Sequence, residues 1–435
     1  MKTTIKILAI AVGVFLFTDV AAQVPEPVAD QSGPIILMNG VAHLGNGEII
    51  ENSAIAFENG KITLVGDARV MRLDLSKYEV VDAAGKHIYP GLILPNTTLG
   101  LEEISAVRAT RDHTEVGEIT PNVRSLVAYN TDSELIAALR YNGILLAQPT
   151  PRGGVITGTS SIMMLEGWNW EDAAYMKDDG VHLDWPSKTY GARWWMGETS
   201  GRENPRYAET VARVEQFMAE ANAYAQVTNP EVTNLKLEAM KGVISGEQRL
   251  FIHADARDEI LESITLAKRM SIPNIVLVGA RDAYYCTSFI KEHNVPILLD
   301  MVHRLPSRED EDVDLSYKLA GLLHNQGIKV GLTYPSLQSS RNLPFFAGTA
   351  VAYGLDKEEA LKLVTSNTAE ILGIGAMTGT ISEGKDANLV VSEGDLLDMR
   401  TSKVKHAFIK GRSIQLEGKQ QVLYDRFKRK YSEDK

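Results

Sequence analysis

The chain has 435 residues, of which 44% are hydrophobic, so it can bury one large α/β domain and a smaller companion. Its 45 Lys and Arg residues against 56 Asp and Glu residues give a net charge of -11. This acidity argues against nucleic acid or an anionic membrane surface as partner. The single cysteine, Cys286, excludes an internal disulfide.

Residues 1–22 have the layout of a secretory signal peptide. Lys2 and Lys6 precede a short apolar run, and Val20-Ala21-Ala22 provides small residues before Gln23. The apolar run is too short to cross a bilayer, so no membrane span is expected after signal cleavage. An uncleaved anchor is the alternative. We therefore expect a periplasmic or secreted protein, whose residues 23–33 form a flexible leader rich in Pro and polar residues.

Short β-strands are predicted at both ends of the chain. Residues 34–89 contain several short apolar runs, two of them joined by Asn59-Gly60, a strong signal for a tight hairpin. A second group of such runs occupies residues 378–435. The two groups can form one β-sandwich only if the intervening residues 90–377 fold as an insert whose ends lie close together.

Residues 90–377 alternate between apolar strand-like runs and amphipathic helical stretches. The strand-like runs are 143–147, 161–165, 250–253, 275–278, 296–299 and 329–332. Nearly all their residues are apolar, as expected for strands of a parallel sheet that is covered by helices. The pattern predicts a parallel (β/α)8 barrel.

Two motifs carry a family resemblance. Residues 89–100, beginning Tyr89-Pro90-Gly91, resemble the first barrel strand of the amidohydrolase superfamily, and residues 383–391 resemble its C-terminal signature. The polar stretch around Glu102, and Asn342-Leu343-Pro344, resemble a secreted, imidazolonepropionase-related branch that has members with and without the metal-binding histidines. The resemblance implies a TIM-like (β/α)8 barrel with a small β-sandwich built from both termini. It also implies hydrolysis of non-peptide C–N bonds in linear or cyclic amides.

The same resemblance implies six metal-ligand positions, and five of them carry other residues. Only His253 keeps its ligand type; the replaced positions hold Asn96, Thr98, Met164, Gly279 and Tyr334. Methionine, glycine and hydroxyl side chains are poor substitutes for imidazole or carboxylate around a divalent cation. We therefore expect no metal cofactor.

A rebuilt site is the alternative. Residues that follow barrel strands converge at the C-terminal mouth, so His253, Asp255 and Asp300 are candidate ligands for one divalent metal such as zinc. His253 and Asp300 are the candidate catalytic residues, acting on bound water. The candidate ligand-binding residues are Asn96, Thr98, His253, Arg281 and Tyr334.

All five tryptophans lie between residues 165 and 196. Irregular periodicity and aromatic content predict an insertion near the barrel mouth. Three roles for this insertion are open: its indoles pack it onto the barrel, it covers a ligand, or it forms a subunit interface.

Three hypotheses follow. The leading one is a metal-depleted pseudoenzyme that binds a small molecule or a protein partner. The second is an active amidohydrolase with a rebuilt site around His253. The third is a structural subunit of a complex with an active, related amidohydrolase. The partners considered are therefore a small molecule at the barrel mouth, a second copy of this chain in a homo-oligomer, and a related amidohydrolase.

Overall fold

The computed structural model describes residues 26–191, 196, 201–300, 302–306, 308 and 311–432. The predicted signal peptide, Trp194 and Trp195 lie outside these residues. Within the described ranges, no helix is long and apolar enough to cross a membrane.

The described strands form two large sheets and one short hairpin. They are β1 (Ile35–His43), β2 (Ile49–Glu58), β3 (Lys61–Asp67), β4 (Glu79–Asp82), β5 (His87–Pro90), β6 (Leu92–Thr97), β7 (Ile144–Pro149), β8 (Ile156–Met164), β9 (Ala174–Asp184), β10 (Thr189–Tyr190), β11 (Arg202–Glu203), β12 (Arg249–Ala254), β13 (Ile275–Gly279), β14 (Ile297–Leu299), β15 (Val330–Leu332), β16 (Leu389–Ser392), β17 (Val404–Ile409) and β18 (Arg412–Ser413).

The described α-helices lie mainly between the barrel strands. They are α1 (Glu134–Arg140), α2 (Trp170–Ala173), α3 (Tyr207–Ala225), α4 (Leu235–Glu238), α5 (Lys241–Ser245), α6 (Arg257–Arg269), α7 (Thr287–Glu292), α8 (Leu315–Asn325), α9 (Leu343–Ala352), α10 (Lys357–Lys362), α11 (Ser366–Leu372) and α12 (Lys419–Ser432).

Both ends of the chain build one sheet. Strand β5 pairs antiparallel with β16, which joins the N-terminal strands to the C-terminal ones. Asn59 and Gly60 have positive φ and connect β2 to β3, so the predicted hairpin is confirmed. Phe57 and Phe408 meet edge to face, with ring centroids 5.0 Å apart, inside the core of this sheet. The two termini therefore share one hydrophobic core.

The second sheet is a nearly closed eight-stranded barrel. Its strands follow the order β6-β7-β8-β9-β12-β13-β14-β15. The two ends of this order meet where the hydroxyl of Thr333 donates to the carbonyl oxygen of Pro95 at 2.5 Å. Fully buried apolar residues such as Leu92, Ile252 and Leu277 fill the strands, which agrees with the predicted TIM-like barrel.

One strand of the barrel runs against the others, so the prediction of an all-parallel barrel is wrong. Strand β8 pairs antiparallel with both β7 and β9. The cause is the short connection after β7, since only residues 150–155 separate Pro149 from Ile156, too few for a crossover helix. Met164, expected at a metal-ligand position, is therefore the last residue of the reversed strand and pairs with Leu146 of β7, away from the mouth.

The predicted tryptophan-rich insertion is also wrong in its central part. Residues Ala174–Asp184 form β9, the fourth strand of the barrel. Trp185 directly follows this strand, is 6% exposed and donates its indole N–H to the hydroxyl of Tyr207 at 3.2 Å. Trp168 is 62% exposed. The sequence pattern does not reveal this strand, because its first half contains the charged residues Lys177, Asp178 and Asp179 and has low hydrophobicity.

The shared core of the two termini gives a stability prediction. Phe408→Ala removes a ring that is 1% exposed and should lower the free energy of unfolding by about 3–5 kcal/mol. The matched control Phe427→Ala removes a ring that is 48% exposed and should cost less than about 0.5 kcal/mol. Urea unfolding followed by circular dichroism compares the two variants. Equal losses would show that the termini do not depend on this contact.

Candidate functional site at the barrel mouth

The mouth is the end of the barrel at which the parallel strands finish. Asn96 lies at the end of β6, Asp184 ends β9, and His253 is the penultimate residue of β12. The register of β9 and β12 places Asp184 directly beside His253, with Nδ1 of His253 3.7 Å from Oδ1 of Asp184. Asp300 directly follows β14. These four residues come from separate strands to one face, as expected for a barrel of this type.

Arg152 lies over this mouth and binds the residue at the first strand-one histidine position. Its Nη1 donates to Oδ1 of Asn96 at 2.6 Å, and its Nη2 donates to the carbonyl oxygen of Asn96 at 2.9 Å. Asn96 has φ of 51°, a left-handed conformation that asparagine tolerates better than most residues. The guanidinium also interacts electrostatically with the carboxylates of Asp184 and Asp300. Arg152 therefore supplies a fixed positive charge at the mouth.

Two glycines place Arg152 there. Gly153 and Gly154 have φ of 85° and 86°. A Cβ on Gly154 would come within 2.9 Å of the carbonyl oxygens of Gly117 and Glu118. The loop between β7 and β8 can therefore turn tightly beside the segment that follows β6. The backbone N–H of Arg152 donates to the carbonyl oxygen of His113 in that segment at 2.6 Å.

A polar network continues from the mouth into the barrel interior. Nε2 of His253 lies 2.8 Å from Nδ1 of His182, and Nε2 of His182 lies 2.8 Å from Oγ of Ser160. Ser160 donates to Oδ1 of Asp179 at 2.8 Å, and Gln148 donates to Oδ2 at 2.6 Å. Since the Ser160 proton goes to Asp179, His182 donates to Ser160 and accepts from His253. Each hydrogen bond between His253 and Asp179 thus has one donor and one acceptor.

The environment changes the pKa of several groups. Burial, reinforced by the positive charge of Arg152, lowers the pKa of His253 to about 3, so its ring is neutral at pH 7. Burial raises the pKa of Asp184 to about 6, against the opposing effect of Arg152. Burial and the nearby carboxylate of Asp255 raise the pKa of Asp300 to about 7, although Arg152 lowers it. The mouth therefore holds carboxyl groups that exchange protons near neutral pH.

Asp255 and Arg281 occupy the strand-six side of the mouth. Oδ1 of Asp255 accepts from the backbone N–H of Arg281 at 3.2 Å. A Cβ on Gly279, which has φ of 90°, would lie 2.8 Å from the same Oδ1 atom. Asp255 thus fills the space that a side chain at position 279 would take. The buried Nε of Arg281 has no hydrogen-bond partner among the described residues, and it lies 3.6 Å from Oδ1 of Asp282 as an ion pair.

Thr98 and Tyr334 are further from the polar chain. The hydroxyl of Thr98 donates to Oε2 of Glu102 at 3.3 Å, and the same oxygen lies 3.5 Å from Nδ1 of His113. Tyr334 is half-buried and stacks on Phe346, with centroids 4.7 Å apart. Tyr334, which lies two residues after β15, thus contacts an aromatic ring of α9. Thr98 instead contacts a polar cluster in the segment after β6.

The donors at this mouth do not fit a metal ion. The Nε2 atom of His253 is bonded to His182, and the nearby guanidinium of Arg152 would repel a cation. Within the described ranges, no three His, Cys, Asp or Glu side chains converge as a cation site. His253, Asp255 and Asp300, proposed as alternative ligands, do not form such a group. The mouth instead combines carboxyl groups with the amide of Asn96 and the guanidinium of Arg152, which hydrogen-bond each other, and with the imidazole of His253.

Sequence reasoning missed the residues that define this geometry. The sequence does not single out Arg152, Asp184 and His182, because its pattern predicts an insertion where β9 lies and a parallel strand where β8 lies. Two arginines in the polar stretch after β6, Arg108 and Arg111, are both exposed. The Gly153-Gly154 pair was the available signal, since it marks a sharp turn directly after a barrel strand and next to an arginine.

Comparison with known proteins defines the class. The amidohydrolase family matches residues 180–414, more than half of the chain, so the chain belongs to the amidohydrolase family. The family prediction is confirmed. An amidohydrolase from Thermotoga maritima MSB8 shares the fold with a TM-score of 0.77 and 23% identity, covering 88% of this chain and 99% of that one.

Similarity to individual relatives is partial. An imidazolonepropionase from Thermoplasma volcanium is 38% identical over 86 residues, which are 19% of this chain and 21% of that protein. An adenine deaminase from Clostridium botulinum is 21% identical over 379 residues, which are 85% of this chain and 55% of that protein. The chain thus spans about a fifth of one relative and about half of the other.

The buried carboxyl of Asp179 gives a pH prediction. Burial raises its pKa to about 6 from the ordinary 3.8, so the native state binds this proton more tightly than the unfolded state does. Its contribution to stability is therefore complete below pH 4 and is lost as pH rises through 6. The difference in unfolding free energy, Asp179→Asn minus wild type, should rise by up to about 3 kcal/mol between pH 4 and pH 7.

Urea titrations at each pH measure this difference. The matched control Asp132→Asn changes an exposed carboxyl and should leave the pH dependence of stability unaltered. If Asp179→Asn shows the same pH slope as wild type, the buried carboxyl is not the titrating group.

Proposed function

We propose that this chain is a metal-independent member of the amidohydrolase family that binds a small oxyanion-bearing ligand at the barrel mouth. The observation that carries the proposal is the double hydrogen bond from Arg152 to Asn96. In this arrangement a guanidinium provides the positive charge that a metal provides in the family's hydrolases. The protein is then a binding pseudoenzyme.

A carboxylate is the ligand group that best fits the charges. Guanidinium groups recognise planar oxyanions by paired hydrogen bonds. Arg152 belongs to the mouth, and the Nε of Arg281, which makes no hydrogen bond among the described residues and lies 3.6 Å from Oδ1 of Asp282, offers a second buried donor on the strand-six side. Asp184 and Asp300, with their raised pKa values, can be protonated when an anion enters, which limits repulsion. Asn96 and His253 would orient the ligand beside these groups.

The proposal includes export of the protein. Residues 1–22 support a signal peptide, and a periplasmic or extracellular binding protein would meet small metabolites directly. N-terminal sequencing of protein from a periplasmic extract checks this part: a start near Gln23 is expected, and a start at Met1 would contradict it.

One observation favours the alternative of an active hydrolase. The pKa of Asp300, raised to about 7, suits a general base that activates water near neutral pH. If the chain is such an enzyme, hydrolysis of an amide or lactam should disappear in Asp300→Asn and follow a single ionisation near pH 7. Persistence of a measured activity in this variant would reject that role.

Ligand screening tests the binding proposal. Free and N-acetylated amino acids, each paired with its carboxamide, are screened for an increase in the melting temperature of the mature protein. We expect stabilisation by a carboxylate and none by its amide partner. For such a ligand, Arg152→Gln should weaken binding by about 10- to 100-fold, because a charged hydrogen-bond pair is lost.

Arg108→Gln is the matched control, since Arg108 is exposed in the segment after β6 and should leave affinity unchanged. Stabilisation that is equal for acid and amide, or unaffected by Arg152→Gln, would contradict the proposal. So would a panel without any carboxylate-dependent shift.

Metal analysis tests metal independence. After exposure of the mature protein to zinc, manganese or iron and subsequent desalting, we expect substoichiometric metal by elemental analysis, because no three ligating side chains converge at the mouth among the described residues. The His253→Ala variant should retain the same amount as wild type. A stoichiometric metal that disappears in His253→Ala would overturn the metal-independent function.

A further inference from the structure

A second cluster of charge lies at the opposite end of the barrel. The residues before and at the beginning of β12, β13, β14 and β15 surround a cavity of about 430 Å³. Its basic lining residues are Arg249, Lys268, Lys291 and Lys329, and its carboxylate is Glu370. Four basic groups around one acidic group stand out in a chain whose net charge is -11.

The basic groups come from separate elements. Arg249 begins β12, Lys268 lies in the last turn of α6, and Lys291 lies in α7. Lys329 precedes β15 and pairs with Glu370 of α11. Within the described ranges, Lys268 and Lys291 form no ion pair. The cavity thus holds two lysines, Lys268 and Lys291, that the described part of the fold leaves without a neutralising carboxylate.

Arg249 is held in place for this cavity. Its Nε donates to the carbonyl oxygen of Ile371 at 2.7 Å, at the end of α11. Gly373 follows with φ of 77°, and a Cβ at that position would collide with the Arg249 guanidinium. The anchoring bond uses Nε alone, so it fixes the side chain while both Nη groups remain as donors. Asp179 interacts electrostatically with this guanidinium from inside the barrel.

We propose that this cavity is an anion-binding site for a small molecule with two or more negative charges of the phosphate or carboxylate type. Arg249 and the two unpaired lysines bind the charged groups. The apolar wall that includes Ile275 and Ile328 contacts the organic part of the ligand. A volume of about 430 Å³ lies in the range of small-molecule sites. The site is separate from the mouth, because its residues lie at the opposite ends of the strands.

Calorimetric titration of the full mature protein tests this site with inorganic pyrophosphate and with tricarballylate as probes. We expect saturable one-to-one binding of at least one probe. Binding of pyrophosphate alone supports a phosphate ligand, binding of tricarballylate alone supports a carboxylate ligand, and binding of both supports the shared chemistry. Absence of saturable binding by both probes overturns the proposal.

Charge variants locate the bound probe. The double variant Lys268→Gln/Lys291→Gln should weaken binding about tenfold or more, since two unpaired cations are removed. Glu370→Gln should strengthen binding, because the one lining carboxylate is neutralised. Lys236→Gln changes an exposed lysine in α4 and is the control that should leave affinity unchanged.

Arg152→Gln distinguishes the two ends of the barrel. Probe affinity that is unchanged in this variant and reduced in Lys268→Gln/Lys291→Gln supports the cavity. Affinity lost in Arg152→Gln and kept in the double lysine variant would place the probe at the mouth and overturn the cavity site. Failure of the carboxylate screen at the mouth would leave this result unaffected, so the two proposals are tested separately.

Discussion

The bond between Arg152 and Asn96 is the interaction on which the mouth depends. It joins the loop after β7 to the end of β6, and it fixes a positive charge where several carboxyl groups and two histidines converge. Without that charge, Asp184, Asp255 and Asp300 would repel one another in a poorly solvated site. With it, His253 stays neutral and acts as a hydrogen-bond donor to His182.

The reversal of β8 explains how this arrangement is possible. A crossover helix between β7 and β8 would carry the chain away from the mouth, whereas the short loop 150–155 keeps it there. The reversed strand brings Ser160 beside His182 of β9 and the carboxyl of Asp179. The same reversal sends Met164 to the far end, where its sulfur lies 3.8 Å from Nη2 of Arg412 in the sheet built from the termini. One short connection thus decides which side chains reach the site.

Much of the fold could be predicted from the sequence, because its signals are local. The Asn59-Gly60 turn, the apolar runs of β12 to β15, and the motifs at 89–100 and 383–391 each specify an element or its place in the family. The direction of β8 could not be predicted, since an apolar run does not encode the direction of its neighbours. Strand β9 was missed because charged residues at 177–179 break the apolar pattern expected of a barrel strand. The candidate site was the least predictable part of the structure, since the positions of Arg152 and Asp184 depend on the course of these two strands.

The two ends of the barrel are connected through its polar interior. From His253 the chain of hydrogen bonds passes through His182 and Ser160 to Asp179, and Asp179 interacts with Arg249 at the opposite end. The interior of such a barrel is otherwise packed with apolar side chains, for which a buried carboxyl is costly. Asp179 is tolerated because Ser160 and Gln148 donate to it and the positive charge of Arg249 opposes the rise in its pKa that burial causes. An anion beside Arg249 would weaken that field and favour the protonated carboxyl. An anion bound beside Arg249 therefore changes the protonation of Asp179. The hydrogen bonds through Ser160, His182 and His253 connect this carboxyl to the mouth at the opposite end of the barrel.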